Sequence, residues 1–361
     1  MTPLFVLGPF QVTPYGLTIF AGALAGVLLT LPKRRALPAL PLTILLALLG
    51  GHAFWCVFNT EYLTQPLLLS FLMPWQGGYT LYGSVLGGLL GAFLSARLMR
   101  AQAAEVLDAL APGAAAAIFF GRLGEYFTGQ GAGSVVMEEE LCFFPYAFVS
   151  YEMEDYVEWS QAVWCWEAAA ALVILAVLLL RRRRSLPGQQ TVVFLGLLGT
   201  SQIFLEQLRC DDFVRITTFI RFSQIAAMAT LIGALICLLI RHRAPWQTWA
   251  LSFGTLAAAT LGVIFTEFVF DKPQYNLWLH LSTLLAVLLA ALLLLALRGQ
   301  EGRMAAGLQG FTGCMLLLVH ILGRFEDDAA LLFCLMAFHL AVMGIVLAVN
   351  LRERAPAAGD A

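Results

Sequence analysis

The sequence predicts an all-α, polytopic integral membrane helical bundle with about 11 transmembrane helices. Hydrophobic residues make up 60% of the 361 positions, the mean hydropathy is +0.82, and charged residues account for only 12%. That charged fraction is about half of what a soluble domain carries. Apolar stretches of about 20 residues recur along the chain, and each can cross a bilayer core of about 30 Å as a helix. This composition excludes a soluble enzyme, and no basic patch for nucleic acid is present.

Each apolar stretch is taken as one membrane span, with charged, proline or glycine-rich segments between them. The predicted spans are 15–32, 40–60, 79–99, 106–127, 162–180, 190–208, 219–240, 247–270, 276–297, 306–323 and 329–350.

Basic residues orient these spans, because they follow every odd-numbered one. They are Lys33-Arg34-Arg35, Arg97 with Arg100, Arg181 to Arg184, Arg241-His242-Arg243, Arg298 with Arg303, and Arg352 with Arg354. Loops rich in Lys and Arg remain in the cytoplasm. The pattern therefore predicts an N-terminus outside and a C-terminus in the cytoplasm.

The longest outward loop, residues 129–161, contains seven acidic residues and no Lys or Arg. Its length and aromatic content predict a small acidic outer subdomain between the fourth and fifth spans, and a solvated hairpin is the alternative.

A change of composition near Arg243 predicts three parts of the chain. Residues 1–243 form a membrane domain with polar groups in its spans, residues 244–354 add four spans dominated by Leu and Ala, and residues 355–361 form a disordered tail.

Ionisable side chains gather at the predicted outer ends of the spans. Arg122 and Glu125 lie one helical turn apart near the end of the fourth span, beside Gly121 and Gly124. An Arg at the centre of a membrane helix costs about 2.5–3.5 kcal/mol, and less near the interface. The small glycines allow a ligand or another helix to approach the backbone.

The sixth span shows the same arrangement. Gln202, Glu206 and Arg209 are spaced four and three residues apart, so they share one helix face. We interpret the two clusters as parts of one cavity, although each Arg–Glu pair could instead neutralise itself between helices. His52 in the second span is open to the same two interpretations, a ligand-binding group or a hydrogen-bonded core histidine.

A cationic, glycine-lined cavity at the outer leaflet suits the phosphate of a lipid headgroup, because guanidinium binds phosphate in bidentate fashion.

The seven cysteines form no CxxC pair and no metal-ligand spacing with histidine. We therefore expect no metal site. Cys142, Cys165 and Cys210 all lie near the predicted outer face, where a disulfide or free thiols are both compatible with the sequence.

Seven motifs in register resemble those of the bacterial prolipoprotein diacylglyceryl transferase family over about residues 10 to 240. They are "TPYGLTIFAG", "GGHAFWCVF", "WQGGYTLYGSVLGG", "EVLDALAPGAAAAIFFGRLGEYFTGQ", "EWSQAVWCWEAA", "FLEQLR" and "FSQIAAMATLIG". The resemblance implies transfer of the diacylglyceryl group of phosphatidylglycerol to the lipobox cysteine of a preprolipoprotein, in the bacterial inner membrane, at its outer face and without a cofactor. Its implied partners are phosphatidylglycerol, the preprolipoprotein substrate and membrane lipid.

The resemblance also implies roles for individual residues. Arg122 corresponds to the signature Arg and would hold the phosphate, Glu206 and Arg209 would order the pocket, and Tyr15 would donate to a headgroup oxygen. The expected catalytic residues are Arg122, Glu206, Tyr82 and Glu125. The expected substrate-binding residues are Tyr15, Gly121, Gly124, Gln130, Gln202, Arg209 and His52.

Five of these positions depart from the family pattern. The family has His in place of Tyr82, Asn in place of Glu125, Glu in place of Gln130, and Arg in place of both Gln202 and His52. A phenol with a pKa of about 10 is a poor general base at neutral pH. Three hypotheses follow: an active diacylglyceryl transferase with an altered site, a related phospholipid-dependent transferase with a different acceptor, and a non-catalytic lipid-binding paralogue.

Overall fold

A computed structural model of the chain describes residues 4–241 except 8–9, 61–62, 64, 75–76, 154–155, 183–184, 186 and 211–220, together with 246 and 249–250. The candidate site described below lies in one compact unit, Met1–Leu231. Predicted spans eight to eleven, apart from residues 249–250, lie outside the described residues, as does the expected tail.

Helices form most of the described chain. They are α1 (Pro14–Thr30), α2 (Leu40–Phe58), α3 (Leu67–Ser70), α4 (Leu81–Leu98), α5 (Ala103–Glu125), α6 (Val163–Arg181), α7 (Gln189–Leu205) and α8 (Phe222–Arg241). The strands are β1 (Phe5–Leu7), β2 (Phe10–Val12), β3 (Ala147–Met153) and β4 (Tyr156–Gln161). The expected all-α class is therefore corrected by two short antiparallel hairpins, β1–β2 and β3–β4.

Long apolar helices confirm that this is a membrane protein. Four described segments, Arg34–Phe58, Leu81–Leu98, Ala103–Thr128 and Val163–Arg181, are long and apolar enough to cross a bilayer. They correspond to predicted spans two to five. Shorter apolar helices, Pro14–Thr30, Gln189–Gly199 and Phe222–Ala234, correspond to spans one, six and seven.

Glycines bring α2 and α4 into backbone contact. Gly83, Gly87 and Gly91 recur every four residues of α4 and form one ridge. A Cβ atom added to Gly87 would lie 2.0 Å from the carbonyl oxygen of Leu46, and one added to Gly91 would lie 2.7 Å from the Cα of Thr43. Apolar side chains gain little from contacting each other rather than lipid, so such close approach is what holds membrane helices together.

Helix α5 packs against α1 in the same way and also contacts α4, α6 and α7. Gly26 of α1 lies against the backbone of Gly113, and Gly22 lies against Ala117. This central position explains why the charged end of α5 can meet side chains from several other helices.

The start of α7 is attached to α5 by one carboxylate. Asp108 accepts hydrogen bonds from the backbone N–H of Thr191 at 2.9 Å and from its hydroxyl at 2.8 Å, and also from the backbone N–H of Gly188. The first N–H groups of a helix have no partner within the helix, and a carboxylate satisfies them. Asp108 therefore anchors one end of α7, whose other end leads into Glu206.

The loop between α5 and α6 is folded. Strands β3 and β4 pair antiparallel from Ala147↔Gln161 to Met153↔Tyr156, with an irregularity between Val149 and Tyr151. Buried side chains of Phe148, Ala162 and Trp164 form a small core beneath the hairpin. The loop is thus an antiparallel hairpin with mostly exposed strands that rests on a small core, so the predicted subdomain and the alternative of a solvated hairpin each describe part of it. Cys142, Cys165 and Cys210 are free thiols.

Candidate functional site

A cavity of about 560 Å³ lies between α1, α2, α4 and α5, and it is also lined by the segment after α7 and the start of α8. Eight of the eleven predicted site residues line it: Tyr15, Tyr82, Gly121, Arg122, Glu125, Gln130, Glu206 and Arg209. The structure therefore brings together the charged groups of the fourth and sixth predicted spans, as the single-cavity interpretation requires.

Two guanidiniums and two carboxylates form a closed ring at the charged side of the cavity, and all of them except Glu167 line it. Arg122 of α5 pairs with Glu125 on the next turn and, through Nη2, with Oε1 of Glu167 at 3.2 Å. Arg209 Nη1 lies 3.0 Å from Oε2 of Glu125 and 2.7 Å from Oε2 of Glu167. Each carboxylate thus bridges both guanidiniums, and the ring as a whole is neutral.

Burial strengthens the ion pairs of this ring and makes each charge depend on its partners. The four residues are between 1% and 8% exposed. Charges removed from water cost several kcal/mol each unless partners compensate for the lost hydration. Because every charge in the ring has two opposite neighbours, the arrangement satisfies that condition, and losing one member would leave an uncompensated charge inside the membrane domain.

Elements distant in sequence place the ring members. Arg122 and Glu125 occupy the last turn of α5, and Glu167 lies one turn into α6. A 3₁₀ turn, Glu206–Leu208, follows α7 and positions Arg209. The guanidinium of Arg221, just before α8, donates to the carbonyl oxygen of Arg209 and so holds this segment in place.

The turn after α5 requires glycine at position 131. Gly131 has a φ of +71°, which side-chain-bearing residues rarely adopt, and an added Cβ would lie 2.6 Å from Oε2 of Glu125. Its backbone carbonyl accepts from the N–H of Trp164 at 2.9 Å. The Gly131 backbone therefore lies directly against the ring and connects it to the start of α6.

Three predicted residues do not line the cavity. Gln202 instead accepts a hydrogen bond from Nη2 of Arg122 at 2.9 Å, so it holds a guanidinium of the ring without lining the cavity. Gly124 is a packing residue, because an added Cβ would lie 2.1 Å from the hydroxyl of Thr18 and 2.8 Å from the ring of Tyr15.

His52 is the third, and it is a core histidine. Its Nδ1 lies 3.0 Å from the carbonyl oxygen of Gly78 and its Nε2 lies 2.9 Å from that of Ser70. The side chain is 1% exposed. It joins α2 to the connection between α2 and α4, because both ring nitrogens meet backbone carbonyls there rather than a ligand.

Three buried polar atoms at the cavity lack partners among the described residues. They are the hydroxyl of Tyr82, the Nε of Arg122 and the hydroxyl of Ser223. Leaving such a group unpaired costs about 1–3 kcal/mol. Native structures contain few unpaired buried groups, and those that persist require an explanation, such as a ligand that they serve.

The remaining wall of the cavity is mostly apolar, and the cavity shares part of its lining with a second cavity of about 180 Å³. The residues shared by both are Ala23, Ile44, Ala47, Leu81, Ser84, Ala117 and Ile118. The combined space therefore has one charged end and a long apolar side.

Sequence reasoning missed Glu167 and Arg221. Glu167 lies within "EWSQAVWCWEAA", and it is the one Asp, Glu, Lys or Arg residue among positions 163–180. That isolation in an apolar span was a usable signal. Arg221 follows a segment outside the described residues, and nothing in its sequence neighbourhood distinguishes it from a loop cation.

Comparison with known proteins places the chain in a family. Residues 3–240 match the family described as Prolipoprotein diacylglyceryl transferase. This chain is similar to proteins named phosphatidylglycerol–prolipoprotein diacylglyceryl transferase, among them proteins from three bacteria. The Tropheryma whipplei protein is 37% identical over 139 residues, which are 36% of this chain and 51% of that protein.

Two further relatives match over longer stretches. The Lactobacillus johnsonii protein is 26% identical over 262 residues, covering 69% of this chain and 93% of that protein. The Streptococcus pneumoniae (strain JJA) protein is 29% identical over 259 residues, covering 66% and 94%. The match to the Tropheryma whipplei protein, in contrast, spans about half of that protein's length. Because the family match covers well over half of the 361 residues, the chain belongs to the prolipoprotein diacylglyceryl transferase family.

Proposed function

We propose that this chain transfers the diacylglyceryl group of phosphatidylglycerol to the lipobox cysteine of preprolipoproteins. The observation that carries the proposal is the shape and charge of the cavity. One end holds two guanidiniums, and the other continues along apolar side chains of α1, α2, α4 and α5. A phospholipid has the same division into an anionic headgroup and apolar chains.

The guanidiniums are the natural partners of the lipid phosphate. Arg122 has an unbonded Nε beside the cavity, and Arg209 lines the same wall. Both are already paired with carboxylates, so the phosphate would share the ring with Glu125 and Glu167 and exchange some ion pairs for bonds to its own oxygens. Bidentate Arg–phosphate contacts are charge-assisted and strong enough to compete in this way. Tyr15, Gly121 and Gln130 would surround the glycerol headgroup.

The proposal also covers the location, the membrane topology and the domain division of the chain. The chain would lie in the bacterial inner membrane with about 11 spans, its N-terminus outside and its C-terminus in the cytoplasm, so that the cavity faces the outer leaflet. Residues 1–243 would form the diacylglyceryl-transferase-like domain, residues 244–354 an additional four-helix segment, and residues 355–361 a disordered tail.

A transfer assay tests the function. Full-length protein in nanodiscs containing phosphatidylglycerol should convert a lipobox peptide to its diacylglyceryl thioether, as detected by mass spectrometry. Arg122→Ala should lower the rate by about 10²-fold or more, because it removes a donor that acts on developing phosphate charge. Full activity of that variant would contradict the phosphate role of Arg122.

One observation favours a second candidate, a lipid-binding protein without transfer activity. The ring is electrically neutral before any lipid enters, and Glu125 supplies half of its negative charge. Nanodiscs that retain phosphatidylglycerol on the protein but yield no thioether would support this candidate. Thioether formed only with a thiol other than the lipobox cysteine would instead indicate a related transferase with a different acceptor.

A further inference from the structure

We infer that Glu206 is the general base that takes the proton from the acceptor thiol, an assignment that rests on the proposed function. A thiol with an ordinary pKa of about 8.5 is mostly protonated at neutral pH, so an attacking sulfur needs a proton acceptor nearby. Among the described residues that line the cavity none is a histidine, and the proton acceptors found there are carboxylates and phenols.

Two of the three carboxylates at the site are already occupied. Both oxygens of Glu125 and both oxygens of Glu167 lie in ion pairs with guanidiniums. These ion pairs hold all four oxygens against guanidiniums, and Glu167 is not among the residues that line the cavity. Their positions suit them to hold the two guanidiniums together.

Glu206 differs from both of them. It lines the cavity and is 5% exposed, and within the described part of the chain its carboxylate is in no ion pair. The guanidinium of Arg122 acts on it electrostatically from the neighbouring ring. Its oxygens are therefore available to a group entering the cavity.

The ionisable groups around Glu206 come from four elements. Tyr82 lies on α4, Arg122 and Glu125 on α5, and Glu167 on α6, while Arg209 follows the same 3₁₀ turn as Glu206. A neutral phenol such as Tyr82 donates a hydrogen bond and does not abstract a proton at neutral pH. Tyr82 is thus suited to a ligand oxygen, and Glu206 to the thiol.

The step balances as a nucleophilic substitution. The S–H bond of the acceptor cysteine breaks and its proton passes to a carboxylate oxygen of Glu206. The sulfur electron pair forms a C–S bond at the diacylglyceryl carbon, and the C–O bond to phosphate breaks with its electron pair going to the phosphate oxygen. Glycerol phosphate leaves as the dianion and then takes the proton from Glu206, so nothing is oxidised or reduced.

The test compares Glu206→Gln with Glu125→Gln in full-length protein, each assayed for peptide lipidation from about pH 6 to 9. At about pH 6.5 Glu206→Gln should be slower than wild type by about 10²–10⁴-fold, the usual contribution of a general base. Its rate should then rise about tenfold per pH unit until the thiol ionises unaided near pH 8.5. Phosphatidylglycerol retained by this variant should equal that retained by the wild type.

Glu125→Gln should lower the rate of peptide lipidation by a factor that does not vary with pH, because the change affects the ring and not the proton transfer. A constant ratio of Glu206→Gln to wild type across the pH range would overturn the base assignment while leaving the transferase function intact. A wild-type protein that forms no thioether at any pH would overturn the function, and the assignment with it.

Discussion

Arg122 shows how a charge can be stable inside an apolar helix of this protein. Its guanidinium contacts Glu125, Glu167 and Gln202, and its Nε has no hydrogen-bond partner in the described part of the chain. The sequence predicted the pair with Glu125, which lies three residues away on the same helix. Glu167, which comes from another helix, turns that local pair into a ring that also holds Arg209.

The unpaired hydroxyl of Tyr82 yields a prediction with two readouts. Tyr82→Phe should raise the free energy of unfolding by about 1 kcal/mol, because it removes a buried hydroxyl that has no partner. The same change should reduce the rate of lipid transfer, because the bound lipid would then lack the hydrogen bond that the Tyr82 hydroxyl donates. Denaturant unfolding in detergent and the peptide lipidation assay measure the two effects.

Tyr79→Phe is the matched control, because the hydroxyl of Tyr79 donates to the carbonyl oxygen of Pro74. Its loss should lower the free energy of unfolding by about 1 kcal/mol, the opposite sign. If Tyr82→Phe were destabilising to the same extent, the hydroxyl would have a structural partner, and its assignment to a ligand would be wrong.

Glycine spacing decides how the helices pack. Along α4, Gly83, Gly87 and Gly91 lie against the α2 backbone, whereas a Cβ added to Gly88 would meet only the Cβ of Ala47 on α2, at an ordinary 3.6 Å. The sequence displayed all of these glycines in "YGSVLGGLLG" but not which of them touch a neighbouring helix. That choice depends on which face of α4 meets α2.

Gly87→Ala and Gly88→Ala therefore form a matched pair at the scale of the element. A methyl group at position 87 would overlap the backbone of Leu46, so α2 and α4 must separate, at a cost of about 1–3 kcal/mol. The same methyl group at position 88 should change stability by less than about 0.5 kcal/mol. Thermal unfolding of the purified variants in detergent measures both, and equal effects would show that α4 packs through a different face.

At the scale of the compact unit Met1–Leu231, the helices enclose a cavity with a charged end and an apolar side. Helices α1, α2, α4 and α5 enclose the apolar part of the cavity, and α6 and the segment after α7 supply the remaining charges. Asp108 contributes from the opposite end of α5 by anchoring the start of α7. The site thus depends on helix ends that are distant from it.

The proposed orientation predicts which loops are accessible from outside the cell. In a variant whose native cysteines are replaced by serine, Glu139→Cys should react with a membrane-impermeant maleimide on intact cells. Arg34→Cys should react only after the membrane is permeabilised, because basic loops stay in the cytoplasm. The reverse pattern would invert the topology and place the cavity at the inner leaflet.

Several properties of this protein were determined by its sequence alone. Hydropathy established a membrane protein, a charged pair in an apolar span located the site, and motifs in register indicated the family, because each of these signals is local along the chain. Only the tertiary structure decided that Glu167 closes the ring, that His52 contacts backbone carbonyls, and that Glu206 lines the cavity without belonging to the ring. These outcomes depend on which faces of distant helices meet, and apolar spans without a strong polar stripe do not encode that choice in their local sequence.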